Sequence, residues 1–388
     1  MTAPLVFLAA GEPSGDLLGA RLMAALKEQT GGAVRFVGIG GERMEAEGLR
    51  SLFPMDELSL MGITELLPKA RHLLARIRQT AQAANDLAPD VMVTIDAPGF
   101  AFRVGRRLSR RRFPLIHYVA PSVWAWRPGR ARKIARFLDH LLVLLPFEPP
   151  YFEREGLEAT FVGHPIVETA AGRGKGARFR AAHGIPDDAP LLCILPGSRR
   201  TEAGRLLPVF GETVERLASA RPGLRVVVPT VAGVSNLVEA AVAGWPAPVH
   251  MVRGDDAKYD AFAAADAALA ASGTVSLELA MAGLPAVIAY KVQPATAWVV
   301  RRLVKVRYAN LVNIILDRPA VPEFIQENCR PDLLAPALER LLDDPEAAEA
   351  QRRAAREAVT RLGLDGPPPS ARAAAVVLDV IRKAADRA

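Results

Sequence analysis

The chain has 388 residues, half of them hydrophobic, which is enough to bury two ordinary cores and more than a single domain usually takes. Lysine plus arginine exceeds aspartate plus glutamate by 49 − 42 = 7, a balance that favours partners carrying phosphate or an anionic membrane face without choosing between them. Two distant cysteines, one inside the apolar run LLCIL, exclude a disulfide scaffold and point to a reducing compartment.

The opening MTAPLVFLAA lacks a basic flank and runs straight into GEPSGD, so it reads as a buried first strand and not as a signal peptide. No later segment reaches the run of about 18 apolar residues that a membrane span requires. In chain order the short apolar runs are LVFLAA, RFVGIG, VMVTIDAP, LIHYVAP, LLVLLPF and TFVGHP, then LLCILPGS, RVVVPT, AALAAS and AVIAY, with helical spacing between them. That alternation predicts α/β architecture, with parallel sheets covered by helices on both faces. The pattern restarts after the basic, Gly-rich AAGRGKGARFRAAHG, which places a linker there and two doubly wound, Rossmann-like domains at 1–170 and 171–366. Beyond the prolines of DGPPPS, a terminal helix over 367–388 must pack on one of the two domains; crossing back onto the first is the more specific reading.

In the first domain, Gly11-Glu12-Pro13-Ser14-Gly15-Asp16 forms a strand-to-helix turn, where small residues and free amides such as those at Ser14 and Gly15 suit an anion or sugar hydroxyls. The GxGxxG spacing of a dinucleotide fold is missing, and a tight turn capped by Ser14 or Asp16 accounts for the same residues. Asp96 stands at the carboxyl end of VMVTI, where it can take the proton of an attacking hydroxyl; an Asx turn beside Pro98 explains it equally well. Trp124, Trp126 and Arg127 precede a basic helix and fit sugar contacts, a lipid interface or base stacking, although no nucleic-acid module accompanies them. His164, in a Gly-His-Pro turn, reads as structural, and Glu148 sits at a strand end.

A further segment, 58–78, carries Leu60, Met61, Ile63, Leu66, Leu67, Leu73, Leu74 and Ile77 among Lys69, Arg71, Arg76 and Arg78. A broad apolar face with basic flanks can lie in an anionic interface, and it can equally be a core helix.

In the second domain LLCIL leads into Pro196-Gly197-Ser198-Arg199, where exposed backbone donors and an always-charged fork can grip a pyrophosphate. Ser272-Gly273-Thr274 repeats that chemistry before a helix, and Glu278 one turn on can take ribose hydroxyls. Two anion-binding turns in one domain fit a nucleoside diphosphate neutralised by the protein. The six histidines are scattered and no HxxxH, DxD or CxxC occurs, so no metal and no other cofactor is expected. Asn310, Asn313, Glu323 and Gln326 cluster around a proline turn and could meet sugar hydroxyls or simply be solvated.

AGEPSGD, LMGITELL, IDAPGF, YVAPSVWAWRPGR, LPFE, FVGHP, LPGSR followed by Glu202, SGTVSLE and VPEFIQ, in this order across nearly the whole chain, resemble the lipid-A-disaccharide synthase family. The resemblance implies a GT-B glycosyltransferase with two Rossmann-like domains and an interdomain cleft. It also implies the reaction: UDP-2,3-diacylglucosamine donates its sugar to 2,3-diacylglucosamine 1-phosphate, giving the β(1→6) lipid A disaccharide 1-phosphate and UDP. By that resemblance Asp96 is the general base, Arg199 and Ser272 to Thr274 hold the leaving diphosphate with Gly197, Ser198 and Glu202, and Ser14 and Gly15 also face the donor. Glu278 takes the ribose, Asn313, Glu323 and Gln326 complete the donor site, and backbone near Val252 and Arg253 reads uracil. Inversion fits one-step attack with a single base. Where the family often has a polar residue before the phenylalanine of the IDAP motif, this chain has Gly99, so no second carboxylate is assigned there. Acylated substrates give segment 58–78 a reason to meet lipid, and place the protein peripherally on the cytoplasmic face of the inner membrane, with no nucleic-acid partner and no oligomeric state specified. A UDP-N-acetylglucosamine epimerase, another GT-B transferase, or a non-catalytic nucleotide-sugar or lipid-binding protein would share the phosphate turns.

Overall fold

A computed structural model describes residues 3–58, 66–108, 110–126, 129–293 and 306–387, with backbone alone for 66–70. The chain forms two units, one running to Pro165 and resuming at Leu362, the other spanning Ile166–Arg361.

The first unit holds a six-stranded sheet of β1 (Leu5–Ala10), β2 (Arg35–Ile39), β3 (Val91–Ile95), β4 (Leu115–Tyr118), β5 (His140–Val143) and β6 (Glu158–Phe161) in the order β2-β1-β3-β4-β5-β6. All its pairs are parallel. Val6, Phe7, Leu8, Val91, Met92 and Val93 are completely buried because helices cover both faces, which is why these strands read as unbroken apolar runs. Around them lie α1 (Pro13–Gln29), α2 (Glu42–Ala46), α3 (Leu66–Leu87), α4 (Pro98–Arg107), α5 (Arg130–Ala135) and α6 (Pro149–Glu153).

The second unit repeats the plan with β7 (Leu191–Leu195), β8 (Arg225–Thr230), β9 (Val249–Arg253), β10 (Ala267–Ala271), β11 (Ala286–Tyr290) and β12 (Glu323–Ile325), ordered β12-β11-β10-β7-β8-β9 and parallel throughout. Its helices are α7 (Gly176–Ala182), α8 (Arg200–Ala220), α9 (Ser235–Val242), α10 (Asp255–Ala264), α11 (Val275–Ala282), α12 (Leu311–Leu316), α13 (Pro331–Asp343) and α14 (Pro345–Arg361). The last helix, α15 (Pro369–Ala385), lies against α1 in the first unit, burying Ala373, Ala374 and Val377.

The Gly-rich stretch expected as a linker is built into the second unit. A Cβ on Gly174 would stand 2.0 Å from the Tyr259 carbonyl oxygen and one on Gly176 2.3 Å from that of Ala263, so these glycines permit close backbone packing on α10. The Lys175 amide donates to Asp260 Oδ1 at 2.6 Å, fixing the same contact. Among the described residues no helix is long and apolar enough to cross a membrane.

Candidate functional site

In each sheet the strand order reverses at one place, between β1 and β3 and between β7 and β10. Ligands of open α/β sheets bind beyond the carboxyl ends of the strands at such a reversal. Every turn singled out for anion or proton chemistry falls there: GEPSGD after β1, IDAP after β3, PGSR after β7 and SGT after β10.

In the first unit the register pairs Ala10 with Ile95, so the two turns leave neighbouring strands side by side. Ser14 Oγ donates to Asp96 Oδ2 at 2.8 Å. A Cβ on Gly15 would lie 3.3 Å from the Ile95 carbonyl oxygen, and one on Gly11 2.9 Å from Ala97 Cβ, so only small residues allow this approach. Asp96 and Ala97 are both left-handed, with φ of 52° and 42°. Aspartate visits this region more readily than alanine, and two such residues in succession store strain that the flanking β3 and α4 must hold. Burial, and then the charge of Asp96, raise the Glu12 carboxyl above its ordinary value. Asp16 is not a cap of its own helix; its carboxylate accepts from the amides of Gly41, Arg43 and Met44 at 2.8 to 3.1 Å and so fixes the start of α2.

Glu148, 3% exposed, accepts from Trp124 Nε1 at 3.0 Å and from the amides of Leu144 and Leu145 at 3.2 and 3.0 Å. Burial nevertheless pushes its carboxyl up to about 7, against those three donors. Burial takes His164 down to about 4, so it is neutral near pH 7, which suits a structural residue. Arg127 lies outside the described residues, and Trp126 is exposed.

In the second unit, β7 and β10 pair Leu195 with Ala270 and open onto a cavity of about 300 Å³. Gly197, Ser198, Glu202, Val252, Ser272, Gly273, Thr274 and Glu278 all line it. Gly197 has φ 100°, and a Cβ there would meet Glu202 Oε2 at 2.2 Å, so glycine serves both the turn and the packing. Burial raises the Glu202 carboxyl while the positive charge of Arg199, the exposed residue preceding α8, works in the opposite direction. Arg253 turns its guanidinium to Ser235 Oγ; its neighbours Val252 and Gly254 line the cavity.

Sequence reasoning missed Lys258, which also lines this cavity and bonds Glu278 Oε1 at 3.0 Å and Asp255 Oδ1 at 2.9 Å. Burial opposes its charge, but the Glu278 and Asp255 carboxylates prevail and hold its pKa above the ordinary lysine value. The available signal was Gly254, left-handed at φ 84°, joining β9 to α10 as the other turns join strand to helix.

Asn313, Glu323 and Gln326 do not line the same cavity. Asn313 and Glu323 border a separate one of about 770 Å³. Asn313 donates to the Val321 carbonyl at 2.8 Å and to Glu323, and accepts from the amides of Ala320 and Val321. Glu323 accepts from the Ala309 amide at 2.7 Å and Gln326 from the Val292 amide at 3.3 Å. Ser272 Oγ donates to the Ala309 carbonyl at 3.0 Å, so this network braces the Ser272-Gly273-Thr274 turn.

Of the segment assigned to lipid, Leu60, Met61 and Ile63 lie outside the described residues, as do the side chains of Leu66 and Leu67. Leu73 is corrected: with Ile77 it packs into the first unit's core, since both fall on the inward stripe of α3. Leu74 is 40% exposed, beside exposed Arg71 and Arg78.

The model of the family described as lipid-A-disaccharide synthetase matches residues 6–365. A lipid-A-disaccharide synthase of Rhodospirillum centenum is 60% identical over 381 residues, spanning 98% of this chain and 95% of that protein. Among solved structures, UDP-GlcNAc 2-epimerase from Neisseria meningitidis bound to UDP-GlcNAc aligns with a TM-score of 0.63 at 12% identity, over 98% of this chain and 100% of that one. A glycosyltransferase from Rickettsia africae aligns at 0.62 with 11% identity, over 99% of both chains. At such identities the likeness is one of fold, and the fold is GT-B. The motifs, the two strand-order reversals and a match over almost the whole length agree: the chain belongs to the lipid-A-disaccharide synthetase family.

Proposed function

We propose that the chain performs its family's reaction, moving the sugar of UDP-2,3-diacylglucosamine onto the 6-hydroxyl of 2,3-diacylglucosamine 1-phosphate, with the donor held in the second unit and Asp96 of the first as general base. The observation that carries the donor assignment is the cavity between the β7 and β10 turns, lined by Gly197 and Ser198 before α8 and by Gly273 and Thr274 before α11, whose backbone amides are the candidate donors; the Ser272 amide is taken up by the Ala289 carbonyl. Those amides, with Arg199, neutralise the diphosphate as it leaves. Glu278, steadied by Lys258, takes the ribose, and the backbone of Val252 and Arg253 lies beside the base. Asp96 is held by Ser14 in one orientation, which suits a carboxylate that must meet one hydroxyl. Since both substrates carry acyl chains, exposed Leu74 and its basic neighbours on α3 rest against an anionic membrane face, and the protein works as a peripheral membrane enzyme.

The test is transfer between these two substrates in detergent with EDTA, wild type against Asp96→Asn. Disaccharide formation by wild type, with turnover reduced about 10²- to 10⁴-fold in the variant and UDP affinity retained, is the expected result. Wild type that binds UDP and makes no disaccharide sinks the substrate assignment; unchanged turnover in the variant removes Asp96 alone.

A further inference from the structure

Directly after Asp96 and Ala97, the first unit opens a second cavity of about 600 Å³, bordered by Pro98 and Gly99 at the start of α4 and by Gly129 at the start of α5. Four cations line it: Arg103 and Arg106 from α4, Arg130 and Lys133 from α5. Each pair is spaced three residues apart, which puts both members of the pair on one face of their helix. No carboxylate is among the described lining residues. Four positive charges gathered around a hollow repel one another, and nothing in the fold requires that arrangement, because Arg103, Arg106 and Lys133 are exposed.

All three guanidinium groups contact their surroundings. Arg130 stacks over the Phe102 ring, 5.3 Å from its centroid, Arg106 lies over the Phe137 ring at 5.8 Å, and Arg103 donates to the Gly99 carbonyl at 2.8 Å. Gly99 also leaves the floor open: a Cβ there would have only Arg103 Nη1 within 4 Å, at 3.8 Å. A cavity lined by held, forked donors is suited to a dianionic phosphomonoester.

We infer that this cavity is the subsite for the acceptor's 1-phosphate. The inference rests on the reaction proposed above, in which the acceptor is a sugar phosphate and Asp96 takes its 6-hydroxyl proton. Position supports it. The cavity's lining starts at Pro98, two residues after Asp96, so the cations and the general base stand on consecutive stretches of one strand-to-helix connection. The site also gives the enzyme a way to distinguish its acceptor from an acylated sugar without phosphate.

The test uses the full chain in detergent, with Arg103→Gln combined with Lys133→Gln, and with the charge-keeping pair Arg103→Lys and Lys133→Arg. Each is assayed with the 1-phosphate acceptor and with its dephosphorylated analogue. The expected result is a loss of about 10- to 100-fold in kcat/KM for the phosphorylated acceptor in the double Gln variant, carried mainly by KM, with collapse of the preference for it over the analogue. The charge-keeping pair should restore most of that preference. Equal losses on both acceptors, or no change for the phosphorylated one, overturn the subsite. A second arm follows binding of glucosamine 1-phosphate by phosphorus NMR. Binding by wild type that disappears in the double Gln variant supports the pocket even if no disaccharide is made, an outcome that would remove the reaction and keep the phosphate site. Binding that survives in the variant overturns the inference. Sedimentation with phosphatidylglycerol vesicles separates the remaining source of phosphate: if the double Gln variant loses vesicle binding while its acceptor preference is intact, the cations serve the membrane surface and the assignment fails.

Discussion

In the cavity proposed for UDP, Lys258 and Glu278 form a charged pair that can act through orientation as well as through charge. The ammonium and carboxylate meet at 3.0 Å with roughly a fifth of each side chain exposed. Both border the space assigned to UDP. Removing the cation by Lys258→Met leaves Glu278 free to turn and brings a bare carboxylate close to a diphosphate, so UDP affinity should fall by about tenfold or more. Glu278→Gln should weaken UDP comparably. If the two act as one unit, the double variant is no weaker than the worse single variant, whereas additive losses in calorimetric titration would show independent roles. Glu278 was legible from sequence because it follows a small-residue turn by one helical turn. Lys258 was not, because its helix begins with Asp255 and Asp256, a start that looks like ordinary dipole compensation. Asn313 and Glu323 were legible only as polar side chains at high density; the hydrogen bonds they make within the fold, to backbone and to each other, were not.

At the scale of elements, what the sequence reveals depends on how many sides of an element are buried. The central strands β1, β3, β7 and β10 are legible as apolar runs, since a parallel sheet covered on both faces admits little else. The strands VHMVR and EFI were not recognised, and both are edges of the second sheet, where partial exposure admits histidine, arginine and glutamate. Helix α3 was ambiguous for a related reason: an amphipathic stripe with basic flanks has the same pattern whether its apolar face meets protein or lipid, and Leu73 meets protein. The terminal helix α15 shows the limit of sequence most clearly, because an Ala-rich apolar stripe does not say which surface it covers. Its contact with α1, reinforced by Gln29 Nε2 donating to the Ala371 carbonyl at 2.7 Å, ties residues far apart in the chain into one core. Val377→Asp would bury an unpaired carboxylate there, at a cost on the order of 3 kcal/mol. Calorimetry should show the first unit's transition lowered by several degrees, with UDP binding by the second unit changed less than about twofold. A loss of UDP binding in step with stability would mean that the units do not unfold separately.

For the whole molecule, the first unit concentrates groups that oppose one another in their response to acid. Burial holds His117 down at about 3 and His164 at about 4, and moves His140 in the same direction. Their unfolded counterparts take up protons below about pH 6.5. The unfolded chain therefore binds more protons than the native one, and their contribution to stability, complete above that pH, is lost as pH falls toward the folded values. Glu148 acts with the opposite sign. Its native carboxyl keeps a proton up to about 7, while the unfolded group releases it above about 4.3, so its contribution declines as pH rises through that window. Between about pH 4.5 and 6.5, His117 and His164 together outweigh Glu148 by one proton, giving a loss of about 1.4 kcal/mol per pH unit of acidification, which His140 steepens. Glu148→Gln removes the opposing group. It also presents an amide N–H₂ to a site where Trp124 Nε1 and two backbone amides all donate, so the variant should be less stable at every pH. Its separate signature is the slope: denaturant titrations of the first unit across this range should show a pH dependence steeper than wild type by about one proton. An unchanged slope would mean that Glu148 is ionised in the native protein throughout, held by its three donors against the burial that raises it.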